Sequence, residues 1–166
     1  AGRIGLAEHP RRVGSWRIES ALGAGGMGTV HLARRGRRQA ALKLVHPSLA
    51  ADPEFRRRFE REVAISRAVS GPHVASVIDA DPSADRPWLA IEHVPGPTLA
   101  QAGALGGDQG IAVALALLSA LSDIHRAGVS HRDLKPSNVI LADRGPVVID
   151  FGIAAAADAT SLTQTG

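Results

Sequence analysis

Four glycines within six residues, Gly23-Ala24-Gly25-Gly26-Met27-Gly28, constrain this chain more than any other stretch, because of what stands on either side of them. Residues 16–22 have the spacing of a strand, and residues 29–33 set Val30 and Leu32 alternately against polar neighbours. Arg35-Gly36-Arg37 then reads as a turn into a third strand at 39–45. Its period of two puts Ala41 and Lys43 on one face and Leu42 and Leu44 on the other. The opening is therefore a small antiparallel sheet with a bare-backbone loop at one end. A dinucleotide fold would need a helix directly after the glycines and an acid about 20 residues on. Here a strand pattern follows, and position 48 is Ser48. A Walker-type loop would need Gly-Lys-Ser/Thr, but Thr29 follows Gly28 directly. Two readings remain: a flap folded over phosphates, or a glycine-rich hairpin with no ligand.

The next segment is punctuated as a helix. Asp52 suits the N-cap, Pro53 the first turn and Glu54 the positive end of the dipole. Phe55, Phe59, Val63 and Ser66 form a stripe at helical spacing. Glu62 lies on nearly the same face, where a carboxylate needs a partner, and Arg58 one turn back is the local candidate. Residues 74–80 and 88–93 read as two further strands. Pro95-Gly96-Pro97 breaks the pattern as a hinge between two lobes would. Residues 109–126 are apolar nearly all round, which predicts a buried helix, and Gly128 ends it. Short strands at 139–141 and 147–149 flank the turn Asp143-Arg144-Gly145, and 154–166 reads as a polar, mobile segment.

Composition removes several classes. An apolar share of 45% and a charged share of 21% over 166 residues exclude wholesale disorder and leave room for one domain or a large part of one. The longest strongly apolar run, 111–121, is too short to cross a bilayer, and the first 12 residues lack the apolar core of a secretory signal. Without Cys there are no disulfides or thiolate metal sites. The net charge of +3 and pI near 10.5 suggest nucleic acid. An aromatic share of 3% with no Tyr leaves little for bases to stack on, so the Arg clusters at 34–38 and 56–67 read as solvated faces. Of the 19 basic residues, all but Lys43 and Lys135 are Arg, and Asn138 is the sole Asn. A compact ammonium and a flat guanidinium are not interchangeable, so these three positions are the first to examine.

Both Lys and the Asn fall within recognisable motifs. His131-Arg132-Asp133-Leu134-Lys135-Pro136-Ser137-Asn138 is followed by Asp150-Phe151-Gly152. With Ala40-Ala41-Leu42-Lys43 and the glycine loop, in this order, the chain resembles the bacterial eukaryotic-like (Hanks-type) serine/threonine protein kinases from about Trp16 to its last residue. The resemblance implies an α+β two-lobe fold. Residues 1–15 would be an N-terminal extension and 16–94 the small lobe, an antiparallel sheet with one helix. Residues 95–166 would begin an incomplete helical lobe, with the hinge exit, a buried helix, the catalytic loop and the start of the activation segment.

It also implies ATP and Mg²⁺. Lys43 would contact the α- and β-phosphates with Glu62 holding it, under a flap made by Leu22, Gly23, Gly25 and Gly28. Val30 and Ala41 would roof the adenine with Ile140 beneath, the backbone from Glu92 to Val94 would offer hinge hydrogen bonds, and Ile91 would be the gatekeeper. Asp150 and Asn138 would bind Mg²⁺, Asp133 would take or orient the proton of the acceptor hydroxyl, and Lys135 would face the transferred phosphate. Lys135 and the Arg of His-Arg-Asp favour Ser/Thr protein kinases over small-molecule kinases. Arg132 implies control by phosphorylation, with Thr163 and Thr165 as the sites, and His131 would be a structural member of its loop.

The expected function is ATP-dependent phosphoryl transfer to Ser/Thr hydroxyls of proteins by a parent kinase, of which this chain is a fragment, weak or inactive alone. In a fragment ending inside the activation segment, the helix at 109–126 would lose much of its cover. The alternative is a nucleotide-binding regulatory or pseudokinase-like module without transfer activity. Expected partners are a protein substrate and, for autophosphorylation, a second copy; nucleic acid and a membrane segment within these residues are not expected. The expected location is cytoplasmic, with any anchor of the parent outside these residues.

Overall fold

The structure is a computed structural model that describes residues 10–128, 131 and 133–150. Strands β1 (Arg12–Val13), β2 (Trp16–Gly25), β3 (Gly28–Arg35) and β4 (Arg38–Val45) precede helices α1 (Pro47–Ala50) and α2 (Pro53–Ser66). Strands β5 (Val77–Asp81) and β6 (Trp88–Glu92) complete a six-stranded antiparallel sheet in the order β1-β2-β3-β4-β6-β5. Helices α3 (Leu99–Ala102) and α4 (Gly107–Arg126) follow, then a 3₁₀ turn (Pro136–Asn138) and a hairpin of β7 (Val139–Ala142) and β8 (Gly145–Val148).

The alternation in β4 sorts the small lobe. Leu42 and Leu44 are buried with Trp16, Ala33, Trp88 and Ala90 on one face of the sheet. On the other side Phe55, Phe59 and Val63 of α2 pack with Val45, Leu89 and Ile91. Helix α2 follows its sequence signals closely. Asp52 accepts from the Glu54 N–H at 2.8 Å, and all four residues of the predicted stripe are buried, with Phe55 and Phe59 stacked at 5.9 Å. Arg58 pairs with Glu54, one turn toward the N-terminus, at 2.9 Å.

Two expectations need correction. The strand expected at 74–80 begins at Val77, because Val74 and Ala75 belong to a different pairing. Val74 forms a parallel bridge with Val148, and the Ala75 N–H donates to the Val148 carbonyl at 2.9 Å. The helix expected to be buried is covered on one face only. Val113, Ala116, Ala120 and Ile124 are buried, the last two packing with Val69, Val74 and Val148, whereas Ile111, Leu115 and Leu118 are 62%, 63% and 64% exposed. By length and composition α4 also suits a membrane span, which the short apolar run did not suggest, but its small-residue face is occupied by protein.

The lobes join through residues 95–98. The Leu141 N–H donates to the Pro97 carbonyl at 2.8 Å, and Thr98 bridges Ile140. Gly96, at φ +140°, lies so close that a Cβ would sit 2.6 Å from the Leu141 carbonyl oxygen, so no larger residue fits this crossing.

Candidate active site

A cleft runs between the sheet and the β7–β8 hairpin, and the alternation of β3 and β4 divides it into two joined cavities. The inner one, about 440 Å³, lies under the glycine loop, with Lys43 above and Asp133, Lys135, Asn138 and Asp150 below. The outer one, about 360 Å³, is more apolar. Leu22, Val30 and Ala41 form its roof, Ile91 to Val94 its back wall, and Ile140 and Ile149 its floor. Gly23, Val30, Asn138 and Asp150 line both, so a ligand with one flat apolar end and one anionic end could occupy the two together.

The roof is held down at its tip. Met27 packs against the core under α2, and its carbonyl accepts from the His46 N–H at 2.8 Å. Gly28 must be glycine, since a Cβ there would stand 2.0 Å from the Leu44 carbonyl oxygen. At Gly23 and Gly25 the space a Cβ would fill is open, so this stretch of β2 presents bare main chain to the cleft. That is the arrangement a phosphate-covering flap needs.

Lys43 sits opposite Val30 on β3 and Leu89 on β6, which projects it from the cleft face of the sheet. Its Nζ pairs with Asp150 Oδ1 at 2.5 Å. Asp150 engages the Lys43 ammonium in this structure, and Glu62, the residue expected to hold Lys43, stands half-buried on α2. Asp150 follows β8 and is the one non-glycine among the described residues with positive φ, +60°. A left-handed backbone at a non-glycine residue costs on the order of 1 kcal/mol and points to a constrained functional position.

The floor is knitted by a short loop. Asn138 Nδ2 donates to the Asp133 carbonyl at 2.9 Å and to Asp133 Oδ2 at 3.2 Å, and Lys135 Nζ pairs with the same Oδ2 at 2.8 Å. The Asn138 carbonyl accepts from the Ile149 N–H at 2.9 Å, tying the loop to the residue before Asp150. The hydrogen bond from Lys135 is the main reason the Asp133 carboxyl titrates below its ordinary range; partial desolvation works against it. The carboxylate form of Asp133 is thus favoured. His131 is buried, and that burial lowers its pKa despite a hydrogen bond from Nε2 to the Ile149 carbonyl at 3.3 Å. A neutral buried imidazole fits the structural role expected of it.

The donor set also fits Mg²⁺. Asp150 and Asn138 offer hard oxygens on one side of the inner cavity. No group of three or more His, Cys, Asp or Glu gathers among the described residues. Mg²⁺ commonly takes only one or two protein ligands and completes its shell with phosphates and water. Sequence reasoning missed Ser137, Gly96, Thr98 and Ile149 as cleft residues. Ile149 was legible in principle from its place just before Asp150; the others depend on how the lobes meet. Arg132, Thr163 and Thr165 lie outside the described residues.

Comparison with known proteins agrees with this geometry. A model of the protein kinase domain matches residues 16–166. The probable serine/threonine-protein kinase PkwA of Thermomonospora curvata is 49% identical over 162 residues, covering 95% of this chain and 22% of that protein. Serine/threonine-protein kinase AfsK of Streptomyces coelicolor is 49% identical over 166 residues, covering 96% of this chain and 21% of that protein. The chain therefore spans about a fifth of the length of these relatives. Among solved structures, the Mycobacterium tuberculosis PknI kinase domain superimposes with a TM-score of 0.73 at 33% identity, over 85% of this chain and 59% of that one.

Proposed function

The chain belongs to the protein kinase domain family, and from that premise we propose that the protein carrying it transfers the γ-phosphoryl group of ATP to Ser or Thr hydroxyls of proteins. The observation that carries this reading is the convergence of Lys43 from the sheet with Asp150, Asn138, Asp133 and Lys135 from below on one cavity under the glycine flap. The outer cavity takes the adenine between Val30 and Ala41 above and Ile140 below, with the main chain of Glu92 and Val94 at its edge.

Phosphoryl transfer asks a protein chiefly to position anions and neutralise charge. Lys43 brings an ammonium to the α- and β-phosphates. Asp150 and Asn138 would hold Mg²⁺, which would supply charge neutralisation at the phosphate oxygens. Asp133 accepts the acceptor hydroxyl's proton as its oxygen bonds to the γ-phosphorus and the bond to the β–γ bridging oxygen breaks, so that ADP leaves. Lys135, 2.8 Å from Asp133, places positive charge where the transferred group passes. The pairing of Lys135 with Asp133 two residues before it, together with the relatives' names, supports Ser/Thr acceptors. Thr163 and Thr165 are the proposed sites of phosphorylation by a second copy, in a cytoplasmic setting.

The test is transfer from labelled MgATP to a generic Ser/Thr protein acceptor by the full protein containing these residues. Asp133→Asn and Asp150→Ala are each expected to lower the rate by about 100-fold or more. Equal transfer by wild type and both variants overturns the reading. Nucleotide binding without any transfer would instead support a regulatory module.

A further inference from the structure

The proposed use of Glu92 involves its main chain, which leaves its carboxylate to be explained. Glu92 ends β6 and lines the outer cavity, and a second cavity of about 200 Å³ lies behind it. Glu92 and Val94 line both, so residues 92–94 form a thin partition between the adenine pocket and the outer groove. Arg144 lines only the groove, and its Nη1 meets Glu92 Oε1 at 2.8 Å. Arg144 belongs to the β7–β8 turn, below the cleft, whereas Glu92 pairs with Ala40 in the sheet above it. This ion pair therefore crosses from one lobe to the other on the outside of the hinge.

The other end of the hinge is fastened to the same hairpin by main chain: Pro97 to Leu141, Thr98 to Ile140, and Gly96 against the Leu141 carbonyl. Between these bonds and Glu92 the partition has few ties of its own. The Glu92 N–H is spent on the Ser76 carbonyl at 2.9 Å. The side-chain pair thus fastens the stretch that lines the pocket.

We infer that Arg144 is a positioning residue for the nucleobase: by pairing with Glu92 across the lobes, it fixes the main chain of residues 92–94 against which the adenine is read. This rests on the kinase reading above and extends it to a side chain outside the cleft. A hinge held at both ends presents its hydrogen-bonding edge at lower ordering cost when the base enters. The pair is partly exposed, so its effect is modest and decreases with salt.

The experiment measures binding of a nonhydrolysable MgATP analogue and of magnesium tripolyphosphate to the full protein. Arg144→Ala is expected to weaken the analogue about two- to fivefold, the range a partly exposed ion pair can supply. Tripolyphosphate, which has no base, is expected to bind as to wild type, and Arg144→Lys should recover at least half of the lost affinity. Unchanged analogue binding by Arg144→Ala overturns the inference while leaving the kinase reading intact. So does an equal loss for both ligands, which would mean a general loosening of the cleft. A wild-type protein that binds no analogue overturns both.

Discussion

The two long helices, α2 and α4, teach different things about how apolar pattern becomes burial. Helix α2 carries its large apolar side chains, Phe55, Phe59 and Val63, in one stripe among Arg and Glu, and the sheet covers that stripe completely. Helix α4 carries apolar residues on more than one face. It buries the small-residue face of Val113, Ala116 and Ala120 together with Ile124, and exposes Ile111, Leu115 and Leu118. Periodicity states how many apolar faces a helix offers, one for α2 and more than one for α4. Which of those faces meets a partner is a property of the surrounding elements. The cleft shows the same division. The sheet half contributes bare main chain and one ammonium, and the other half contributes the acidic groups and the amide.

The hardest test of this contrast is Phe59→Ala. A fully buried phenyl stacked on Phe55 leaves a cavity that the sheet and α2 cannot both close, so the loss of stability is expected to be about 3–5 kcal/mol by denaturant unfolding. A loss below about 1 kcal/mol would show that the α2–sheet core is far looser than its burial suggests.

Next in size are the two ends of the Lys43–Asp150 pair. If each half of the cleft contributes its own charge to the transition state, Lys43→Met and Asp150→Ala should each lower transfer by about 10²–10³-fold. The double variant should fall little further, because either loss already breaks the shared arrangement. Multiplying losses in kinetic assays would show two independent contributions and separate the halves.

Much of this was legible before any coordinates. The N-cap at Asp52, the stripe on α2, the strand alternation at Lys43 and the glycine flap are local patterns, and each lies where the spacing put it. What was not legible depends on distant pairing. Val74 and Ala75 read as strand, but their partner is Val148, which local pattern cannot name. Lys43 meets Asp150, which follows β8 much further along the chain, and no local pattern around Lys43 names that partner. The same holds for Trp16, whose Nε1 donates to Asp79 at 3.0 Å while Arg35 stacks on its ring at 4.4 Å: three separate strands meet there.

His131 provides a pH test of the lower half. Burial lowers its pKa from the ordinary 6.5, so the unfolded chain takes up a proton at a higher pH than the folded one. Stability is therefore retained above pH 6.5 and falls as pH drops below it, until the folded imidazole also protonates. Within that window the slope approaches about 1.4 kcal/mol per pH unit for one proton. In urea melts from pH 7.5 to 5, His131→Gln is expected to remove this part of the slope, while the carboxylates keep theirs. An identical slope in the variant would mean that the imidazole is wet.

The smallest effect belongs to the uncovered face of α4. Leu118→Ala removes a large side chain that is 64% exposed, and alanine is the better helix former. With little apolar contact to lose, the change in stability is expected to stay within about 0.5 kcal/mol of zero. The contrast with Phe59→Ala is thus a difference of several kcal/mol between two large-to-small substitutions on two helices of one chain, decided by cover and not by residue type. The same variant, measured in the full protein containing these residues, asks whether the stripe is covered there. A loss of about 2 kcal/mol or more in that setting would mean that Ile111, Leu115 and Leu118 meet a partner beyond the described residues. A loss near zero in both settings would mean that α4 keeps an apolar face in water, and the all-round apolar pattern would then overstate burial.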